Sequence, residues 1–211
     1  MLPAITRVVA IRHGETAWNV DKRIQGQLDI PLSERGRWQA ERLAAALADE
    51  GIDVIYSSDL QRAQATASAL ARITGCELRL HAGLRERAFG RFEGRTFRQI
   101  DEDWPDDARR WRQREPDFVP QGGESLEEFN QRCLRVCLEL VAAHPDQSVA
   151  LVAHGGVLDC LYRAATRVHL QVPRSWQLDN ATINRLLFNG RDFSLVGWND
   201  HHHFDGEPPG P

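Results

Sequence analysis

Two uninterrupted apolar runs constrain the fold of this chain more than any other feature. Arg7–Ile11 (RVVAI) and Ser148–Ala153 (SVALVA) are short, rich in β-branched residues, and lack the in–out alternation of a half-solvated strand. Strands of this kind are buried on both faces, which calls for a parallel sheet with helices covering each side. Asp53–Ser57 (DVIYS) and Glu77–Leu80 (ELRL) read as two further strands. Ser33 is placed to cap a helix running to about Asp49, Asp59 to cap one from Leu60 to about Ile73, and Ser125 to cap one reaching about Ala143. Gly51 and Gly75 follow the first two as stop signals. A helix from about Val157 comes next, and Thr182–Phe188 and Phe193–Trp198, joined across Asn189-Gly190, predict a hairpin. The order is that of an α/β fold, a three-layer α/β/α sandwich with a mostly parallel central sheet. One domain over residues 1–211 is expected. It carries a lid-like insertion at about 88–123, where the chain is arginine-rich, aromatic and broken by prolines, and a flexible tail from about residue 204.

Composition narrows the partners. The formal net charge is -4, which argues against nucleic acid. There is no apolar run of about 18 residues to span a membrane, and the apolar piece Val8–Ile11 is too short for a signal peptide. Cys76, Cys133, Cys137 and Cys160 lack a C-x-x-C spacing and read as buried thiols, so a cytoplasmic location is expected. Of the 26 Lys and Arg residues only Lys22 is lysine. Codon bias accounts for such a skew, yet arginine is also the better fork-shaped ligand for oxyanions. The useful question is which arginines stand where an anion would bind.

Ligand sites of parallel α/β sheets lie at the carboxyl ends of the strands. Here the first apolar run ends in Arg12-His13-Gly14-Glu15-Thr16 and the later one in His154-Gly155-Gly156. Two strand-end imidazoles, each followed by glycine and one flanked by arginine, are expected to lie close together with open backbone access.

These residues carry a resemblance to a known family. RHGET resembles the signature of the histidine phosphatase superfamily, phosphoglycerate-mutase-like branch. The likeness continues through Asn19, the stretch Gln25-Gly26-Gln27-Leu28-Asp29-Ile30-Pro31-Leu32, and Ser57-Ser58-Asp59-Leu60-Gln61-Arg62-Ala63. Leu84-Arg85-Glu86, Phe89-Gly90-Arg91-Phe92-Glu93-Gly94, Gly122-Gly123-Glu124-Ser125 and Ala153-His154-Gly155-Gly156 complete it, so that it covers roughly residues 5–200. The resemblance implies that His13 is a nucleophile forming a phosphohistidine, with its other ring nitrogen fixed by a backbone carbonyl near Gly14. Arg12, Arg62 and His154 would hold the phosphoryl group, and Glu86 would serve as general acid and then base. Asn19 would contact the phosphoryl group, Gly155 would adjoin it, and Gln25 and Gly26 either line the entrance or serve only as turn residues. No metal and no cofactor is implied.

The expected partner is a small phosphomonoester, and the chain is a monomer or homodimer. Departures from the mutase pattern favour a phosphatase. The branch's mutases carry a tyrosine where Phe89 stands, a lysine near Gly94-Arg95-Thr96-Phe97, paired arginines where this chain has Trp111-Arg112-Gln113, and HGN in place of HGG. A phosphoglycerate mutase and a non-catalytic phospho-ligand-binding module are the alternatives. Within the insertion, Arg95, Arg98, Arg109, Arg110, Arg112 and Arg114 could admit a second anion or simply coat exposed helices. His201–His203 could bind metal or be a purification remnant.

Overall fold

The computed structural model describes residues 4–205. Its elements are β1 (Thr6–Arg12), α1 (Ala17–Val20), α2 (Glu34–Ala46), β2 (Val54–Ser57), α3 (Gln61–Thr74), β3 (Glu77–Leu80), α4 (Phe97–Asp103), α5 (Pro105–Arg112), α6 (Leu126–Ala142), β4 (Ser148–Ala153), α7 (Gly155–Thr166), β5 (Ile183–Phe188) and β6 (Phe193–Asp200). The six strands form one sheet in the order β3-β2-β4-β1-β5-β6. β3, β2, β4 and β1 are mutually parallel, and β5 runs against both β1 and β6. The expected mostly parallel α/β/α sandwich is therefore present, with the hairpin as its antiparallel edge.

The continuous apolar runs are explained by helices on both faces. Val8 and Ala10 of β1 pack with Phe129, Cys133 and Val136 of α6 and Val157, Leu158 and Leu161 of α7. Val9 and Ile11 face the other way, onto Ala40, Leu43 and Ala44 of α2 and Ala63, Ala67 and Leu70 of α3. All four cysteines are free thiols, and burial pushes Cys137 up to about 12. Within 88–123, α4 and α5 build a separate small core of Phe92, Ile100, Ala108 and Phe118, with Trp104 and Trp111 packed against it.

Two of the three expected caps are found. Ser33 Oγ accepts from Gly36 N at 3.0 Å, and Ser125 closes a capping box with Glu128. Asp59 does not cap α3. Leu60 occupies that position without a side-chain bond, because both oxygens of Asp59 are taken by Arg85 Nε and Nη2 at 2.7 and 2.6 Å. The first turn of α3 is satisfied from afar instead, Gln61 N donating to Asp29 Oδ1 at 2.8 Å. At the chain's end, Phe204 stacks on Trp38 with ring centroids 5.7 Å apart, and Arg42 holds the carbonyls of His203 and Asp205. The remainder of the expected tail, residues 206–211, lies outside the described residues.

One close approach positions the loop that follows β1. Gly36, in the first turn of α2, lies so near that a Cβ there would sit 2.0 Å from the Glu15 carbonyl oxygen. Glycine to alanine inside a helix ordinarily gains about 0.5–1 kcal/mol. Here the contact reverses the sign: Gly36→Ala is expected to lose roughly 1–3 kcal/mol, as overpacked sites do. A thermal melt showing a lower Tm than the parent's checks this.

Candidate active site

Strand register brings the two histidines together. β1 pairs with β4 so that Arg12 lies opposite Ala153, and the next residues, His13 and His154, leave adjacent strand ends side by side. His13 N donates to Ala153 O at 3.0 Å, and the imidazole centroids are 5.2 Å apart. The loop from His13 to Thr16 is fastened at nearly every polar group. Gly14 N donates to Thr66 Oγ1 at 3.0 Å, Glu15 N to Gln39 Oε1 at 2.8 Å, and Asn180 Nδ2 to His13 O at 2.8 Å. Ser33 N donates to Glu15 O at 2.9 Å.

His13 Nδ1 lies 2.7 Å from Gly14 O. A carbonyl can only accept, so Nδ1 carries the proton and Nε2 the lone pair. Burial, reinforced by the Arg62 and Arg12 cations, holds this imidazole well below its ordinary range, against the pull of the Gly14 carbonyl. His154 is lowered in the same way by burial and then by Arg62, His13 and Arg12. Two neutral imidazoles thus face each other in a cationic setting.

That setting is a cavity of about 530 Å³ at the carboxyl end of the sheet. His13, Arg12, Asn19, Gln25, Gly26, Arg62, Glu86 and Gly155 all line it. His154, its ring beside that of His13, is fully buried and is not among the lining residues. Seven arginines but only two carboxylates, Glu86 and Asp159, line the cavity, so its charge is opposite in sign to that of the chain.

Arg62 is fully buried in the first turn of α3, its Nη atoms donating to Gly26 O at 2.7 Å and Leu28 O at 2.8 Å. Burial lowers it to about 10, which leaves it charged at neutral pH. Its Nε, like that of Arg12, is buried without a partner among the described residues. Two desolvated cations with unspent donors make a site that gains from an oxyanion. Asn19 serves twice. Its Oδ1 caps α1 by accepting from Thr16, while its Nδ2 has no acceptor among the described residues.

Glu86 is held by two backbone amides, Oε2 accepting from Gly156 N at 3.0 Å and Oε1 from Arg87 N at 2.9 Å. The second glycine of HGG is needed for this. A Cβ on Gly156 would meet Glu86 Oε1 at 2.2 Å and the Phe129 ring at 2.8 Å.

Of the six arginines of the insertion considered from sequence, only Arg112 and Arg114 reach the cavity. Arg95, Arg98, Arg109 and Arg110 pair with Asp103, Glu102, Asp106 and Glu115. Phe97 and Trp111 stack with centroids 5.3 Å apart on the cavity wall, while Trp104 packs on Phe92 and under Arg91. Sequence reasoning missed Ser58, which meets His154, and Arg174, an exposed cavity-lining cation with no ion pair among the described residues. Ser58 stands in the Ser57–Ala63 stretch already noted, where no role distinguished it from its neighbours, and nothing in the local pattern around Arg174 sets that residue apart. His201, His202 and His203 turn to separate partners, Asn199 O, Asp200 and Ala181 O.

Comparison with known proteins gives the family of the chain. The histidine phosphatase superfamily (branch 1) profile matches residues 8–201. The chain is 38% identical over 204 residues to glucosyl-3-phosphoglycerate phosphatase of Mycobacterium tuberculosis, covering 91% of each protein. It is 34% identical over 202 residues to phosphoglycerate mutase-like protein 4 of Arabidopsis thaliana, covering 94% of this chain and 86% of that one. It superposes on the crystal structure of phosphoserine phosphatase from Entamoeba histolytica in complex with 3-phosphoglyceric acid with a TM-score of 0.83, at 29% identity, covering 94% and 98% of the two chains.

The electrostatics give a titration prediction. His13 and His154, both lowered, should stay neutral as pH falls through 6.5, whereas His202, raised by Asp200, should already be gaining its proton above 6.5. Imidazole NMR of the ligand-free protein reads this directly. Protonation of either buried ring at or above 6.5 would contradict it.

Proposed function

The chain belongs to the histidine phosphatase superfamily and is a phosphomonoester hydrolase; on that premise we propose that it works without a metal ion, through a phosphohistidine on His13. The observation that carries this reading is the His13 Nδ1–Gly14 carbonyl bond, which leaves Nε2 unprotonated on an imidazole that lines a cavity rich in arginine.

In the first step the Nε2 lone pair attacks phosphorus and the ester P–O bond breaks. Glu86 hands its proton to the departing oxygen, so the alcohol leaves neutral. In the second step Glu86, now a carboxylate, takes a proton from water while the water oxygen attacks phosphorus. The P–N bond breaks, its electron pair returns to Nε2, and inorganic phosphate departs. Arg12, Arg62, Asn19 and His154 supply the charge and donors that spread over the phosphoryl oxygens in both steps. Arginines here meet the charge that a divalent ion neutralises in other phosphoryl-transfer sites.

The substrate we infer is a small phosphorylated metabolite bearing a second anionic group. The cavity is of ordinary small-molecule size. Beyond the phosphoryl end its wall carries Arg112, Arg114 and Arg174 beside Phe97 and Trp111. Phosphoserine and glucosyl-3-phosphoglycerate, named for two similar phosphatases, are both carboxylate-bearing phosphomonoesters. Arg174 has no carboxylate partner among the described residues and is the cation freest to meet that group.

The likeness to a mutase-like relative makes isomerisation the second reading. Supplying 3-phosphoglycerate and a bisphosphate primer separates the two. Release of inorganic phosphate with little 2-phosphoglycerate is expected, and robust isomerisation without released phosphate would reject the hydrolase reading. His13→Ala is expected to abolish phosphate release and the acid-labile phosphoenzyme together; phosphate release at the parent rate would remove His13 from its role. Arg174→Ala should raise KM for a carboxylate-bearing phosphomonoester roughly tenfold, the worth of one charge-assisted contact. It should leave p-nitrophenyl phosphate hydrolysis unchanged, and steady-state kinetics on both substrates test this.

A further inference from the structure

We propose that Ser58 is a positioning residue that fixes the tautomer of His154, so that this imidazole serves as an uncharged hydrogen-bond donor to the phosphoryl group. The catalytic consequence rests on the hydrolase reading above; the tautomer does not.

Ser58 follows β2 and is completely buried, as is His154. Its backbone is tied to the sheet by Ser58 N donating to Val152 O at 3.0 Å. Ser58 Oγ lies 2.9 Å from His154 Nε2 and accepts from Leu60 N at 3.3 Å. A hydroxyl has one proton and two lone pairs. One lone pair receives the Leu60 amide. Among the described residues the only acceptor within reach of the hydroxyl proton is His154 Nε2.

Suppose instead that Nε2 carried the proton and donated it to Ser58. The serine proton would then be buried with no acceptor, a loss that general experience places well above the worth of a satisfied bond. The satisfied arrangement has Ser58 donating to Nε2. Because His154 is neutral, its single proton then sits on Nδ1. That nitrogen is buried with no partner among the described residues, in a ring whose centroid is 5.2 Å from that of His13.

The two imidazoles therefore share a tautomer and use it in opposite ways. His13 spends its Nδ1 proton on Gly14 O and keeps Nε2 for phosphorus. His154 spends its Nε2 lone pair on Ser58 and keeps the Nδ1 proton for a phosphoryl oxygen. A neutral donor adds no further cation to a pocket already crowded with arginine, and its strength is constant across neutral pH.

The decisive measurement is a long-range proton–nitrogen correlation spectrum of the histidine rings in the wild-type protein near neutral pH. A protonated Nδ1 and a bare Nε2 are expected at His154; protonation at Nε2 would overturn the proposal, with no variant needed. In Ser58→Ala the pure Nδ1–H form should give way to a mixture. With p-nitrophenyl phosphate, kcat should fall roughly 10- to 100-fold with KM nearly unchanged, because the donor acts chiefly as charge develops. An unchanged ring spectrum and kcat in Ser58→Ala would equally overturn it. If the wild-type chain releases no phosphate from any ester, the hydrolase reading fails, and the wild-type spectrum still decides the tautomer.

Discussion

The hydrogen bond from His13 Nδ1 to the carbonyl of Gly14 spans a single peptide unit, and the surrounding structure exists largely to keep that peptide still. A loop at the end of a buried strand has backbone groups that water cannot reach, so each needs a protein partner. Thr66 comes from α3, Gln39 and Ser33 from α2 and its cap, and Asn180 from the approach to β5. Helices on one face of the sheet and the entry to its antiparallel edge thus converge on four residues. The Gly14–Gly36 contact lets them come close enough to do so. A flexible ring here would sample both tautomers and lose the Nε2 lone pair whenever that nitrogen carried the proton. The packing of the sandwich is what gives this histidine one tautomer and one orientation, as the proposed nucleophile requires.

The charge distribution is the second consequence of that geometry. The chain as a whole is acidic, yet its cavity gathers seven arginines around two carboxylates. Arg62 is the extreme case, wholly buried and held by carbonyl oxygens rather than by an acid. Such an arrangement is unfavourable for the empty protein, since a desolvated cation wants a counter-charge. A dianionic ester supplies it. Burial first, and then the same arginines, hold both imidazoles well below their ordinary range, so the cations and the neutral rings of the site arise from one enclosure.

Much of this was legible in the sequence because it is written in local patterns. The unalternating runs at Arg7–Ile11 and Ser148–Ala153 announce a doubly covered sheet, and Ser33 and Ser125 announce helix starts. What escaped local reading depends on partners far along the chain. Asp59 looks like a cap until Arg85, 26 residues away, claims it, and the amide it was expected to serve goes to Asp29. Ser58 is one serine among several until the sheet order sets it against His154, 96 residues on. The six arginines of 95–114 are alike in composition, and only the fold separates the two that reach the cavity from the four that pair on the surface.

Two stretches at the cavity are bound to Arg62 and its neighbours to very different degrees. The wall at 25–30 gives the carbonyls of Gly26 and Leu28 to Arg62 and both side chain and backbone of Asp29 to Gln61, while Glu93 fastens Gln27 N. A substitution there disturbs the carbonyls that hold Arg62. The cavity-lining residues Phe97, Trp111, Arg112 and Arg174 make no such bond, among the described residues, to Arg12, His13, Arg62, Glu86 or His154. A scaffold built this way can have its Phe97–Arg112 stretch redrafted for another organic moiety without loosening the carbonyls that hold Arg62.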